Sequence, residues 1–197
     1  MKIMPCLGLT ACIFTAACGG SGGATALSYA ELQQEYFEIS NALNTMPGAD
    51  DMPGSELPDT GGANYAGVMA FIASPTLTLA GMMTLEADFA AERISGSATN
   101  FRDQNETAYD GTLDILEDDV SVGNPNQDLP TFVPVFMGTL TSDTTTVGVL
   151  GSLRGDFYGT DGDPAFAAGT MSGTANVNGA LNNLTGTVFI AERTEIN

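Results

Sequence analysis

Residues 147–158, VGVLGSLRGDFY, decide the fold. One row of this stretch is Val147, Val149, Gly151, Leu153, Gly155 and Phe157; the other is Gly148, Leu150, Ser152, Arg154, Asp156 and Tyr158. Alternation with a period of two marks a β-strand with two distinct faces. Glycine shares a row with the large apolar residues. The same mixture returns in residues 170–177 and 184–191. A small, tightly coiled antiparallel barrel accounts for it. Large side chains alone would overfill a narrow lumen, and glycine lets a strand bend enough for the sheet to close.

Working outward, eight segments carry this pattern: 65–72, 77–89, 92–99, 109–116, 132–141, 147–158, 170–177 and 184–191. Their rows are Tyr65-Gly67-Met69-Phe71, Leu79-Gly81-Met83-Leu85-Ala87-Phe89 and Ile94-Gly96-Ala98. They continue with Tyr109-Gly111-Leu113-Ile115, Phe132-Pro134-Phe136-Gly138-Leu140 and the row from Val147 to Phe157. Met171-Gly173-Ala175-Val177 and Leu184-Gly186-Val188-Ile190 complete the set. The expected fold is mainly β: an eight-stranded antiparallel β-barrel with one N-terminal α-helix. An open sandwich would need fewer glycines in the rows. The interior of an eight-stranded barrel is filled by side chains or holds one small ligand.

The helix begins at Ser28. Ser28 and Glu31 have capping-box spacing, and Leu27 and Leu32 occupy the two positions of a hydrophobic staple. Tyr29, Leu32, Tyr36, Ile39 and Leu43 form one apolar stripe, which should pack on the barrel. The helix is expected to end near Asn44, before Pro47-Gly48. Residues 46–62, MPGADDMPGSELPDTGG, read as an irregular strap. The Asp59-Thr60-Gly61 triplet inside it matches aspartic proteases, but it follows no apolar strand and has no second copy, so it reads as a turn.

Residues 1–17 carry Lys2, then an apolar run through Phe14, and are too short to span a bilayer. They read as a signal peptide. Thr15-Ala16-Ala17-Cys18 resembles the lipobox of bacterial lipoproteins, with threonine where leucine is commoner. That resemblance implies cleavage before Cys18 and acylation of its thiol, anchoring the chain to a membrane. Ordinary cleavage after Ala17 is the alternative. Cys6 and Cys12 leave with the signal, so the mature chain would have no disulfide. The glycines after Cys18 lack the aspartate that retains enteric lipoproteins at the inner membrane. By that analogy the address is the outer membrane, at the cell surface or on its periplasmic face. The expected organisation is therefore a signal peptide at 1–17, a flexible tether at 18–27, helix and strap at 28–62, and the barrel at 63–193.

The chain has 197 residues, Lys+Arg 5, Asp+Glu 24, no histidine and a formal net charge of -19. That charge repels nucleic acid and anionic lipid. Without histidine there is no Ser-His-Asp triad and no histidine metal ligand. Lys2 is the only lysine, so the mature chain supports neither a Schiff base nor a P-loop. No catalytic residue, metal ligand or cofactor is expected. Three polar or acidic connections, 100–108, 117–130 and 159–168, are longer than tight turns. Loops of this kind on a rigid scaffold commonly carry binding. The candidate residues are Asp103, Asn105, Asp118, Asp119, Asp161 and Asp163. Their carboxylates suit calcium chemically, yet the Asp161-Gly162-Asp163 spacing is too short for an EF-hand and reads as turn chemistry.

Gly155-Asp156-Phe157-Tyr158-Gly159, then Gly169 and Gly173, then residues 186–193, GTVFIAER, resemble the end of the β-barrel domain of transferrin-binding protein B. Tyr65-x-Gly67 and Asp88-Phe89 followed by Ile94-Ser95-Gly96 resemble its opening strands. The resemblance covers residues 62–193 and implies a surface or outer-membrane lipoprotein with a filled barrel. It further implies a protein or nutrient-carrier partner. The transferrin-contacting loops cannot be matched residue by residue, and a single barrel stands where that family has paired handle and barrel domains. The reading from sequence is a monomeric, non-enzymatic binding lipoprotein; the alternative is a lipocalin-like carrier with a small apolar ligand inside the barrel.

Overall fold

A computed structural model describes residues 26–48, 50–123, 130–160 and 162–196. The signal, Cys18, the tether before residue 26 and Asp161 lie outside the described residues. Helix α1 (Tyr29–Thr45) is followed by a short strand β1 (Asp50–Met52) and a 3-10 turn (Gly54–Glu56). Then come β2 (Gly62–Ser74), β3 (Leu77–Asp88), β4 (Arg93–Asp103), β5 (Ala108–Tyr109) and β6 (Leu113–Asp119). The chain ends with β7 (Val135–Thr141), β8 (Thr146–Thr160), β9 (Asp163–Val177), β10 (Ala180–Asn183) and β11 (Thr185–Ile196).

Eight strands pair antiparallel in the cyclic order β2, β3, β4, β6, β7, β8, β9, β11. Closure comes from β8 and β9, which pair from Val147↔Val177 to Thr160↔Asp163, and from β11, which joins β9 to β2. The expected closed barrel is what forms. Its interior is a single apolar cluster containing Tyr65, Phe71, Phe101, Phe132, Phe136 and Phe157. Phe157 sits at the centre of an aromatic group, with ring centroids 5.0 Å from Phe132, 5.5 Å from Phe89 and 5.6 Å from Tyr65. Offset and tilted pairs at these distances are favourable beyond the area they bury.

The in-row glycines act in two ways. At Gly67 an added Cβ would lie 2.0 Å from the Ile190 carbonyl oxygen, so here glycine lets neighbouring backbones cross closely. At Gly155 it would lie 2.5 Å from ring atoms of both Phe132 and Phe189, so here glycine makes room for aromatic rings. Bending and filling are both at work.

One row is inverted relative to expectation. In β11 the lumen receives Phe189 and Ala191, while Ile190 packs outside with Ile39 of the helix and Val188 lines the groove beneath it. A register shift between Thr185 and Val188 resets the alternation after Leu184, with Gly186 at φ 56. The sequence concealed this because both faces of β11 are apolar. Helix α1 covers the outer face of β2, β3 and β11, so those strands are buried on two sides.

The helix itself forms as read. Ser28 and Glu31 make the reciprocal capping box. The stripe divides between two external clusters. Leu32 packs on Val68 and Ala80, and Ile39 packs on Phe166 and Ile190. The strap is more ordered than its composition suggests. β1 pairs with the end of β8 through Met52↔Phe157, and Met52 and Leu57 are buried in the main core. They close one end of the barrel. This strap end also holds the turn at 89–92, Gly162 between β8 and β9, and the connection beginning at Val120. The opposite, hairpin end holds the turns at 75–76, 104–107, 142–145 and 178–179.

Candidate functional site

The three acidic connections are shorter, and more occupied, than the sequence indicated. Strand β4 continues to Asp103, β8 to Thr160, and β9 begins at Asp163, so 159–168 is largely strand. Gly159 pairs with Pro164 beside a bulge between Tyr158 and Gly159, which admits the proline. In the connection 117–130, strand β6 runs through Asp119, and residues 124–129 lie outside the described residues.

At the hairpin end, Asp103 is buried. Its Oδ1 accepts backbone N–H groups from Asn105 at 2.8 Å and Thr107 at 2.9 Å. Asn105 stands exposed at the tip of that turn. Gln104 clamps the turn to the β2–β3 hairpin, accepting from Thr78 N and donating to Thr76 O, both at 2.8 Å. Glu106 reaches the start of α1, where its carboxylate accepts from Tyr29 N at 2.7 Å and Ala30 N at 3.4 Å. Arg102 donates to Leu27 O at 3.2 Å and to Glu106 O at 3.3 Å. A carboxylate at a helix N-terminus satisfies orphan amides and opposes the positive end of the dipole. This connection therefore pins the helix to the barrel. Sequence reasoning missed Glu106 and Arg102 because their partners are 75 to 77 residues away.

At the strap end, Asp119 pairs with Arg93, and Glu117 lies 3.9 Å from the same guanidinium. Asp118 accepts from Asp119 N at 2.9 Å. Asp163 pairs with Arg193, which also donates to Pro164 O at 3.3 Å. Tyr65 donates to that same carbonyl at 3.0 Å from inside the barrel, and burial pushes its phenol pKa well up. Asp161 is outside the described residues, and the rest of the predicted set does not converge on one cavity. Asp103 lies at one end and Asp118, Asp119 and Asp163 at the other. No group of three or more acidic, cysteine or histidine side chains suited to a metal occurs among the described residues. Asp59-Thr60-Gly61 is a turn with Gly61 at φ 76, whose carbonyl accepts from Phe89 N at 2.9 Å.

A second group of carboxylates lies where β1 meets β8. Burial raises the pKa of Asp51, and the neighbouring Asp156 charge raises it further. Asp156 is also raised by burial, against the opposing effect of its hydrogen bond from Thr131 N at 2.8 Å. Burial and both carboxylates push up the phenol of Tyr158. The composition of the strap gave no hint of this group, since the pairing of Asp51 with Tyr158 depends on long-range register.

Concavities among the described residues include two that bear on the site. One, of about 190 Å³, is an apolar groove between α1 and the wall, floored by Val68, Ala70, Ala80 and Val188. The other, of about 170 Å³, lies beside the strap near Phe89 and Arg193. The class this defines is a side-chain-filled, eight-stranded β-barrel with an external helix and a strapped end. No family model and no curated protein matches the chain. Among solved structures it is similar to HpuA from Kingella denitrificans, determined in complex with human haemoglobin, at a TM-score of 0.37 and 16% identity. The match covers 74% of this chain and 48% of that one, so the chain spans under half the length of that structure.

Proposed function

We propose that the chain is a non-enzymatic, lipid-anchored binding protein of the outer membrane, using its barrel as a rigid scaffold for a macromolecular partner or nutrient carrier. The observation that supports this reading is the direction of α1. Its N-terminus is held at the hairpin end by Glu106 and Arg102. Cys18 precedes Ser28 by ten residues, a reach of about 35 Å at most when extended. A lipid on Cys18 would tether the chain from its hairpin end, which favours an orientation with the strap end distal. The packed aromatic interior favours this reading over the carrier alternative, which needs an open lumen.

The test is palmitate labelling of the full chain beside Cys18→Ser, with protease cleavage of intact cells carrying an engineered site at Glu92 or at Asp143. Labelling of the wild type alone, outer-membrane fractionation and faster cleavage at the strap-end site are expected. An unlabelled wild type, or a strap-end site cut no faster than the hairpin-end one, overturns the reading.

A further inference from the structure

The wall made by β6, β7 and β8 is not covered by the helix, and its outer face is apolar where it should be polar. Val133, Val135 and Met137 point outward in succession and are 43%, 40% and 40% exposed. Leu150 on β8 pairs directly with Met137 and is 52% exposed. Leu116 on β6, one step beyond the Ile115↔Phe136 pair, is 42% exposed and falls beside Val135. Four large apolar side chains thus adjoin on three neighbouring strands, with Val133 in the link just before β7. A single exposed leucine means nothing, whereas a contiguous apolar patch rimmed by polar residues marks an interaction surface.

The rim carries charge of one predominant sign. Asp114 is the direct cross-strand partner of Met137. Glu117 and Asp119 follow on the outer side of β6, both beside Arg93, and Asp156 on β8. Arg154, one step from the Phe132↔Gly155 bridge and so level with Val133, is the exposed cation of the wall. With a net charge of -19, a second copy of the chain or an anionic lipid surface meets repulsion on approach.

We propose that this wall docks a protein partner whose contact surface has an apolar centre ringed by lysine or arginine. The inference specifies the partner chemistry of the binding protein proposed above and rests on that reading. Apolar burial on the row 133–135–137 and Leu150 supplies affinity, and the acidic rim selects the sign of the partner and speeds encounter.

The probes are two heptapeptides with capped termini, Lys-Leu-Lys-Leu-Lys-Leu-Lys and Glu-Leu-Glu-Leu-Glu-Leu-Glu. Extended, each presents three leucines on one face at strand spacing. The full chain is titrated in zwitterionic nanodiscs if acylated and in buffer if not, so failure of the anchor does not affect the result. Hydroxyl-radical footprinting then maps contacts. The lysine peptide is expected to saturate and to protect Met137 and Leu150. The double substitution Met137→Ser, Leu150→Ser should weaken it about tenfold, the loss expected for two half-exposed side chains. Phe37→Ser removes a still more exposed aromatic on the helix and should change nothing. Undiminished binding by the double variant overturns the proposal. So does equal binding of the glutamate peptide, or dimerisation of the chain through this wall.

Discussion

Adding one methyl group at Gly155 tests the inward assignment of the barrel rows. In Gly155→Ala the new carbon would lie 2.5 Å from Cζ of Phe132 and 2.5 Å from Cζ of Phe189. Carbon atoms settle at about 3.5–4.0 Å, so each ring must retreat by about 1 Å. Neither has free space behind it. The Phe132 ring is already 5.0 Å from Phe157 and 6.1 Å from Phe189, centroid to centroid. Overpacking of this kind costs about 1–3 kcal/mol. Restricting the unfolded chain returns about 0.4–1 kcal/mol. The net expectation is a loss of about 1–2 kcal/mol for alanine and about 3 kcal/mol for Gly155→Val. Gly148, seven residues earlier on the outer face of the same strand, is the control. Its added carbon would meet only Asn176 Cβ at 3.9 Å, so Gly148→Ala should gain the entropic term of about 0.4–1 kcal/mol. Urea unfolding measures both, as opposite shifts of the midpoint at constant slope. In Gly155→Ala with Phe189→Leu, the summed losses should exceed the measured one, because the smaller side chain relieves the clash. Equal stability of the two alanine variants would refute the inward placement of Gly155.

Three further outcomes are expected. Glu106→Ala removes the acceptor for Tyr29 N and Ala30 N, so α1 should lose about 1 kcal/mol, seen as faster hydrogen exchange along the helix while the strands keep their protection. Tyr65→Phe deletes one of two donors to the Pro164 carbonyl. Arg193 still serves that oxygen, so chemical denaturation should register only about 1 kcal/mol. Asp51, Asp156 and Glu35 all have raised pKa values, with burial as the first cause. A carboxyl with a raised folded pKa holds its proton more tightly in the folded state. Stability therefore falls as pH rises through that raised value, and the gain on acidification is complete below the ordinary carboxylate range. The melting temperature should climb as pH falls from neutrality toward the ordinary carboxylate range of about 4. Asp156→Asn keeps an acceptor for Thr131 N and should flatten that climb; an unchanged slope would remove Asp156 from the account.

The barrel was legible because its signal is local. Alternation is set residue by residue, and seven of the eight rows point as they read. Even there Gly111 is exposed, lying in the short link between β5 and β6. The β11 row failed because a helix covers that strand, and two apolar faces carry no parity. Ile190 and Phe189 look alike in sequence, and only the bulge before Val188 decides which enters the lumen. The small hairpin of β10 carries a local signal: Asn178-Gly179, at φ 49 and φ 92, is the two-residue turn that joins twisted strands. The apolar outer wall was also in plain sequence, since Val133, Val135, Met137 and Leu150 occupy the rows opposite Phe136 and Val149. Its exposure depends on which strands the helix leaves bare, and that is a tertiary fact.

The acidic connections were the hardest to read, and charge arithmetic explains why. The chain has 24 acids and 5 basic residues, so few carboxylates can find a cation. Three of the four arginines among the described residues are committed: Arg93 to Asp119, Arg193 to Asp163, and Arg102 to the carbonyls of Leu27 and Glu106. The remaining carboxylates face water or find backbone N–H groups. Many find the latter. Asp103 takes two amides, Glu106 takes two, and Asp88, Asp118, Asp156 and Glu31 take one each. Turns and helix starts are where unpaired amides collect, so an acidic barrel gathers its acids in the connections for structural reasons. An acidic loop in such a protein is thus weak evidence of binding. A row of bare apolar side chains on its wall is stronger evidence, because nothing in the fold requires it.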